Sequence, residues 1–432
     1  FCVAVAKLLL ATAGELSASG SARAAPALAM LPAPVTSLPV AGSAAAPAVP
    51  TLAGVGAASP GPATYQRSPS AVAAAPVVAG GAQVGSSLDE LIESMSTWEL
   101  VGQIVQAEEK DARNGEISQT QMGSVFFAGH NSPGENDIGS WLNASAKLQS
   151  ETLERTQRRV PILVGSDSVH GMGRVRGATM FPHNIALGCT RNETLLEEIG
   201  RITALESTAV AVNWIYAPCV ALVTDIRWGR AYESFGQDKD LVGRLGAAFV
   251  RGAALAGPAV LTCGKHWVAD GGTAYGTGRE GPLDRGNYVA SLEELRSTHM
   301  VPYEYLIKAG VKSVMASFSS VNSVPNHGSF ALLTTELKER LGFQGFVSSD
   351  YAAVGRIHND YDTAVAMSLN AGMDQIMLAT SDHENPRPMQ LQQKIVDLLN
   401  QSRVPYARVK DAARRVLWAK FESGIVQRPL EL

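Results

Sequence analysis

From Leu88 onward, short apolar runs alternate with longer stretches in which apolar positions recur every three or four residues. Leu88, Leu91, Ile92 and Met95 follow a helical interval. Ser87-Leu88-Asp89-Glu90 and Ser96-Thr97-Trp98-Glu99 both have capping-box spacing, so two short helices are predicted to open the folded part. Strand-like runs follow at Ser124 to Phe127, Ile162 to Gly165, Trp214 to Ala217, Ala259 to Cys263, Ser313 to Ser317, Phe346 to Ser349 and Asp374 to Met377. Between them, Glu193 to Val212, Asp240 to Ala256, Ser291 to Ala309, Leu332 to Leu341 and Thr363 to Ala371 have helical spacing. Such alternation predicts a parallel sheet, either closed as a barrel or open and doubly wound. The strand candidates fall one short of a regular barrel, and periodicity does not locate the missing one.

The stretch before Leu88 has no such pattern. Phe1 to about Ala82 is dominated by Ala, Pro, Gly, Ser and Val with almost no charge, a composition that predicts a disordered linker rather than a domain. Val3 to Thr12 resembles the apolar region of a signal peptide, and Ala22-Arg23-Ala24-Ala25 supplies small residues for cleavage, so a secretory or organelle-targeting leader is expected. Lys7 and Glu15 interrupt the run before the roughly 20 apolar residues that a stable membrane span needs. The domain organisation expected is therefore a leader and linker over residues 1–86 and one folded domain over residues 87–432.

Polar residues discriminate between the two sheet architectures. Most strand candidates are followed by a polar or glycine-bearing segment: Ser166-Asp167-Ser168-Val169-His170-Gly171, Asp225-Ile226-Arg227-Trp228-Gly229-Arg230, Lys265-His266, Ser317-Phe318-Ser319-Ser320, and Asp350-Tyr351. Chemistry donated by many strand ends is what a closed barrel provides, whereas an open sheet concentrates it near one switch point. A (β/α)8-like barrel of class α/β is thus predicted.

Composition narrows the function. The chain has 432 residues, 46% hydrophobic, with Lys+Arg 36 against Asp+Glu 40 and a net charge of -4, so nothing in the charge favours nucleic acid. There is no Walker-type phosphate loop and no other cofactor motif. Cys2, Cys189, Cys219 and Cys263 stand singly, without metal or redox spacing, and the last three are expected to be buried free thiols. The histidines include no H-E-x-x-H or close His-x-His pair, so no metal is expected.

The strand-end residues form a coherent chemical set: carboxylates Asp167 and Asp350, cations Arg230 and Lys265, His266, and aromatics Trp228 and Tyr351. Neutral polyols are bound by such mixtures, charged groups exchanging hydrogen bonds with hydroxyls while ring faces stack on C–H surfaces. A cation near Asp350 would keep it ionised, as a carboxylate nucleophile requires. Taken singly, each residue has a plain structural alternative. Asp350 could cap the next helix, Asp167 and His170 could satisfy a loop, and Lys265-His266 could be solvated.

Together these segments resemble glycoside hydrolase family 3, of the β-glucosidase and exo-β-glucanase kind. The matching runs are Asp167-Ser168-Val169-His170-Gly171, Gly177-Ala178-Thr179-Met180-Phe181-Pro182-His183-Asn184, Ala217-Pro218, Arg227-Trp228-Gly229-Arg230-Ala231-Tyr232-Glu233-Ser234, Gly264 through Thr273, Val314-Met315-Ala316-Ser317, and the stretch from Leu341 to Asp350. The resemblance implies a barrel that is often irregular in its first units. It implies Asp350 as the nucleophile, with Asp167, Arg230, Lys265, His266, Met315 and Tyr351 at the terminal sugar, Tyr351 standing where tryptophan is usual. It also implies a retaining double displacement in which a second carboxyl, about 5 to 5.5 Å from the first, serves as acid and then base.

That second carboxyl is the departure. In relatives of the β-glucosidase type it is a Glu from a following α/β sandwich domain, and residues 412–424 resemble the helix and turn that close the barrel before it. Single-domain β-N-acetylhexosaminidases use an Asp-x-His pair instead, which the segment Thr273 to Arg285 lacks. Glu280, Asp270 and Glu233 are the replacement candidates within the chain. Phe318 stands where a tyrosine is common, and Arg279 where a carboxylate often lies. The expected function is hydrolysis of terminal non-reducing β-D-glucosyl residues from β-glucosides or β-glucans. The alternatives are a β-N-acetylhexosaminidase and a catalytically weak sugar-binding barrel.

Overall fold

A computed structural model describes residues 88–129, 132–257, 260–379 and 386–427, all within one compact unit. The leader and linker expected over residues 1–86 lie outside the described residues. Eight strands lie parallel in one sheet: β1 (Val105–Glu108), β2 (Ser124–Phe127), β3 (Leu163–Ser166), β4 (Trp214–Ile215), β5 (Leu261–Trp267), β7 (Ser313–Ala316), β10 (Phe346–Ser348) and β11 (Ile376–Met377). A small second sheet contains β6 (Asn287–Tyr288), β8 (Ser320–Val321) and β9 (Val324–Pro325). The large sheet runs in the order β10-β7-β5-β4-β3-β2-β1-β11. Its two ends meet through a parallel bridge between Ser348 and Gln375, with Ser349 N donating to Gln375 O at 2.9 Å. The sheet is therefore a barrel, as the strand-end chemistry predicts.

The strand missing from the periodicity is β1. It starts at Val105, directly after the helix Thr97–Ile104, with no turn residue between. Val105-Gln106-Ala107-Glu108 is buried throughout, so its polar residues face protein and the alternation that marks a half-exposed strand is absent. The preceding helix begins as predicted, since Ser96 and Glu99 form a reciprocal capping box. Asp137, Asn192, Asp238 and Asp360 each cap a later helix by accepting a backbone N–H three residues on.

Two helices differ from expectation. The single helix predicted over Ser291 to Ala309 is broken into Leu292–Ser297 and Val301–Lys308. Pro302 lacks an N–H, so it sits in the first turn of a new helix rather than in the interior of an old one. Residues Ala331–Arg340 wind as a π-helix, in which Leu341 N reaches Glu336 O five residues back at 3.0 Å. Cys189 also departs from expectation. Cys219 and Cys263 are buried free thiols, but Cys189 is exposed, near the end of the short helix Asn184–Thr190.

The barrel is filled. Phe126, Leu163, Trp214, Tyr216, Leu261, Cys263, Met315, Phe346 and Met377 form one cluster. Its polar atoms are paired: Gln106 Nε2 donates to Tyr216 Oη at 2.8 Å, and Trp214 Nε1 donates to Ser313 Oγ at 2.8 Å. Gly165 makes room for this layer, because a Cβ there would lie 1.9 Å from Tyr216 Oη. The helix Tyr406–Glu422 closes the end at which the strands start. Val416, Ala419 and Ile425 join the interior cluster, and Arg415 Nη1 donates to the carbonyls of Phe343 and Gly345, each at 3.0 Å, just before β10. The opposite end is left to the loops.

Candidate active site

The predicted residues converge at that open end. Asp167 follows β3, Lys265 and His266 lie late in β5, and Asp350 is two residues beyond β10. Neighbouring residues of a regular strand face opposite sides, yet both Lys265 and His266 reach the site. The pairing of β5 with β7 shifts register between Gly264 and Trp267, and that irregularity frees both side chains.

Lys265 Nζ lies 3.2 Å from Asp167 Oδ1. Arg230 holds Glu233 through two contacts, Nε–Oε1 at 2.8 Å and Nη2–Oε2 at 3.0 Å, and its Nη2 lies 3.1 Å from His266 Nε2. His266 Nδ1 meets Asp270 Oδ2 at 2.7 Å, an ion pair when the ring is protonated. Its other nitrogen faces Asp350 Oδ2 at 3.9 Å. Asp350 Oδ1 accepts the backbone N–H of Tyr351 at 2.7 Å. Lys265, His266, Glu233 and Asp270 are buried, the Asp350 side chain is 14% exposed, and that of Asp167 is 46% exposed.

Charge is kept in this buried cluster by mutual pairing. Burial works against the Lys265 ammonium, but Asp167 and Glu233 more than offset it and hold its pKa above the ordinary lysine value. Burial and the Arg230 guanidinium oppose charge on His266, while Asp270 carries it up to about 9. The Arg230 contact favours a neutral ring that accepts at Nε2. The upward direction prevails, because Asp270 lies closer than Arg230 and Cys219 adds to its effect. Burial would raise Asp270, but His266 and Arg230 draw it down to about 2. Glu233 likewise falls below its usual range, burial being outweighed by Arg230.

These shifts bear on the missing acid. A proton donor needs a raised pKa. Glu233 and Asp270 move the wrong way, and Glu280, gripped by Arg356 and Arg285, is also lowered. Asp284 in the same loop moves upward through burial, with Arg285 at 3.8 Å.

A cavity of about 370 Å³ opens beside the cluster, lined in part by Asp167, Lys265, Arg230, His170, His183 and Tyr232. A larger hollow of about 450 Å³, between residues 109–114 and the helix Ile138–Arg155, contains none of the predicted residues. The smaller one brings Asp167, Lys265 and Arg230 together, while Asp350, His266, Tyr351 and Met315 are not among its lining residues.

Trp228 is placed differently from expectation. It is 2% exposed and packs with Val223 and Leu283, so no face is open to a sugar. Gly271 explains the fit, since a Cβ there would come within 2.3 Å of Leu222 O and 2.8 Å of the Trp228 ring. Met315 is buried in the barrel interior, against a cluster that Tyr351 partly covers. Phe318 carries the guanidinium groups of Arg285 and Arg356 on its ring, 4.1 and 5.5 Å from the centroid.

Several site residues were not singled out as such in the sequence. Glu233 and Asp270 appeared only as replacement acids, although their spacings, three residues after Arg230 and four after His266, match the pairs they form. His327, whose Nε2 accepts the backbone N–H of Asp350 at 3.0 Å, lies in a three-residue 3-10 turn too short to show a pattern. Glu108 ends the hidden strand and accepts a hydrogen bond from Tyr351 Oη at 2.8 Å. Among the described residues, no three His, Cys, Asp or Glu side chains group as a metal site, and no helix is long and apolar enough to cross a membrane.

The family model described as the glycosyl hydrolase family 3 N terminal domain matches residues 91–419. A lysosomal beta glucosidase of Dictyostelium discoideum is 26% identical over 380 residues, covering 79% of this chain and 44% of that protein. A periplasmic beta-glucosidase of Salmonella typhimurium is 28% identical, covering 79% of this chain and 42% of that one. The crystal structure of an exo-1,3/1,4-beta-glucanase from a Pseudoalteromonas species superposes with a TM-score of 0.70 at 34% identity, covering 78% of this chain and 42% of the other. The chain thus spans less than half the length of the curated relatives it matches.

Proposed function

The chain belongs to glycosyl hydrolase family 3, and we propose from that premise that it hydrolyses terminal non-reducing β-D-glucosyl residues of β-glucosides or β-glucans by double displacement with retention. The observation that carries this proposal is the Asp350 carboxylate at the barrel mouth, with Oδ2 facing His266 at 3.9 Å and the Arg230 guanidinium in the same cluster. Asp350 attacks the anomeric carbon while the glycosidic C–O bond breaks and the leaving oxygen takes a proton. Water then cleaves the resulting glycosyl ester and returns the carboxylate. Asp167, Lys265, Arg230 and His266 hold the sugar hydroxyls, because hydrogen bonds to ionised groups are the strong ones and this cluster presents both signs of charge. Burial strengthens those made by Lys265 and His266.

Glu233, Asp270 and Glu280 are held as carboxylates, and Asp284, raised by burial, has Arg285 beside it at 3.8 Å to oppose the shift, so the proposal assigns the acid to a following α/β sandwich domain of a longer protein. The same observation favours a second reading, a barrel that binds sugar and turns it over weakly. An aryl β-glucoside with a dinitrophenolate leaving group separates the two, since such a leaving group needs no proton. Release of dinitrophenolate by this chain, with a covalent glucosyl adduct on Asp350 trapped by an activated fluoroglucoside, supports hydrolysis. Binding of the glucoside without release or adduct leaves only the sugar-binding barrel.

A further inference from the structure

The nucleophile's carboxylate stands on a short segment just beyond β10, and two buried side chains from elsewhere in the barrel grip that segment. His327 lies in the turn Asn326–Gly328 and is 2% exposed. Its Nε2 accepts the backbone N–H of Asp350 at 3.0 Å. The turn itself is pinned, with Asn326 Nδ2 donating to Val268 O at 2.8 Å and Asn326 N to Ser319 O at 3.1 Å. Burial pushes the His327 pKa down to about 4, so the ring is neutral in ordinary buffers and its lone pair is available to the amide.

Glu108 grips from the other side. Its carboxylate is fully buried, accepts from Tyr351 Oη at 2.8 Å and pairs with Lys110 Nζ at 2.8 Å. The Tyr351 ring stands edge-on to Phe126, with centroids 6.0 Å apart. The backbone N–H of Tyr351 then donates to Asp350 Oδ1 at 2.7 Å. Two successive N–H groups are thus aimed, one at His327 and the next at the nucleophile's own carboxylate.

We propose that His327 and Glu108 are positioning residues for Asp350, His327 by accepting its backbone N–H and Glu108 by anchoring Tyr351, whose amide fixes Oδ1. The inference rests on Asp350 being the nucleophile. It has a chemical consequence: Oδ1 is occupied by an amide, so Oδ2, the oxygen facing His266, forms the bond to the anomeric carbon. Positioning of this kind acts on the rate of attack, because a misplacement of about 1 Å costs on the order of a hundredfold.

The test is the rate of dinitrophenolate release from the aryl glucoside, with kcat and KM separated and thermal melting recorded for every variant. Tyr351→Phe deletes one hydroxyl and keeps both ring and amide; it should lower kcat by about tenfold with KM changed by less than about twofold. Glu108→Gln retains an acceptor and should stay within about threefold of the parent. The Tyr351→Phe/Glu108→Leu double variant should be no slower than the worse single variant, since both break the same link. His327→Leu removes the acceptor and should lower kcat by roughly thirtyfold, and His327→Gln should recover most of that loss. Should His327→Leu not fold, His327→Gln decides that arm alone: a kcat within about threefold of the parent supports it, and a loss of about thirtyfold overturns it. A parental kcat in Tyr351→Phe, or additive losses in the double variant, overturns the Glu108 arm. Equal loss in His327→Leu and His327→Gln overturns the His327 arm. Asp350→Asn tells the two levels apart: turnover surviving that change removes the nucleophile assignment, while its abolition beside unaffected clamp variants removes only the clamp.

Discussion

Lys265 and Lys420 are both hidden from solvent, at 3% and 0% exposure, at opposite ends of one barrel, and their surroundings push them in opposite directions. At the mouth, burial opposes the charge on Lys265, but Asp167 and Glu233 overcome it and the ammonium is held charged. Near the closed end, Lys420 Nζ donates to Gln103 Oε1 at 2.9 Å, and burial drags its pKa down to about 7. The closing helix places Lys420 among apolar groups and a neutral amide, whereas β5 delivers Lys265 into a ring of carboxylates. Burial alone therefore does not mark a functional lysine. What marks Lys265 is that the fold supplies two carboxylates from separate loop segments, Asp167 and Glu233, to keep it charged, a cost in desolvation that sugar-hydroxyl recognition can use.

The contrast predicts that changes at the mouth remove activity and spare the fold, and that changes at the closed end do the reverse. Asp350→Asn is the strongest case. Loss of the proposed nucleophile should slow release from the aryl glucoside by at least about a thousandfold, with the melting curve little changed. Comparable loss of stability would mean that the mouth cluster holds the barrel together, and the two ends would no longer differ in kind.

Lys420→Met tests the other end. The unfolded chain holds this proton up to its ordinary value of 10.5, and the folded chain releases it at about 7, so between those values the unfolded state binds more protons. Stability from this group thus rises with pH across that window and is lost as pH falls to about 7, below which a charged lysine sits buried. The variant should be more stable than the parent near pH 7 by on the order of a few kcal/mol, and the advantage should shrink toward pH 10. Urea midpoints at the two pH values measure it, and turnover should stay within about twofold. A pH-independent difference between variant and parent would show that Lys420 is charged in the folded state.

How much of this was legible in the sequence follows the same division. The strand ends carrying Asp167, Lys265-His266 and Asp350 stood out because polar residues interrupt apolar runs there, and seven strands of the barrel could be placed from those runs. The strand β1 was invisible because it grows straight out of a helix and is buried on both faces, and Glu108 was hidden with it. His327 could not be found, since a three-residue turn is too short to show a period and its partner is a backbone amide. Trp228 misled for the opposite reason. An aromatic beside two arginines suggested a stacking face, but only the closeness of Gly271 shows that the ring is packed beneath the loop. Local pattern reports which residues are polar among apolar neighbours; it does not report what approaches from a distant part of the chain.

Lys265→Met sharpens the comparison from the mouth. It removes the ammonium 3.2 Å from Asp167, and Asp167 is half exposed, so water replaces part of what is lost. The fold should persist while kcat/KM on the aryl glucoside falls by about a hundredfold, the worth of one or two charge-assisted hydrogen bonds. A fall smaller than about threefold would put Lys265 in the same class as Lys420, buried for packing alone.

The smallest effect concerns His266. Its folded pKa, about 9, lies above the ordinary value of 6.5, so its contribution to stability is fully present below 6.5 and is lost as pH rises through 9. Over that range the ring also gives up a charged donor at the nitrogen facing Asp350. With a phenolate leaving group the acid is silent, so kcat/KM should show a single alkaline fall of about tenfold centred near 9. Asp270→Asn removes the carboxylate that raises the ring, leaving burial and Arg230 to act unopposed, and the alkaline fall should move to lower pH. Lys265 holds its charge above the ordinary lysine range and does not titrate in this window. An alkaline limb that stays in place in Asp270→Asn would mean that His266 is neutral throughout, accepting from Arg230 at 3.1 Å, and that the charge at the mouth is carried by Lys265 and Arg230 without it.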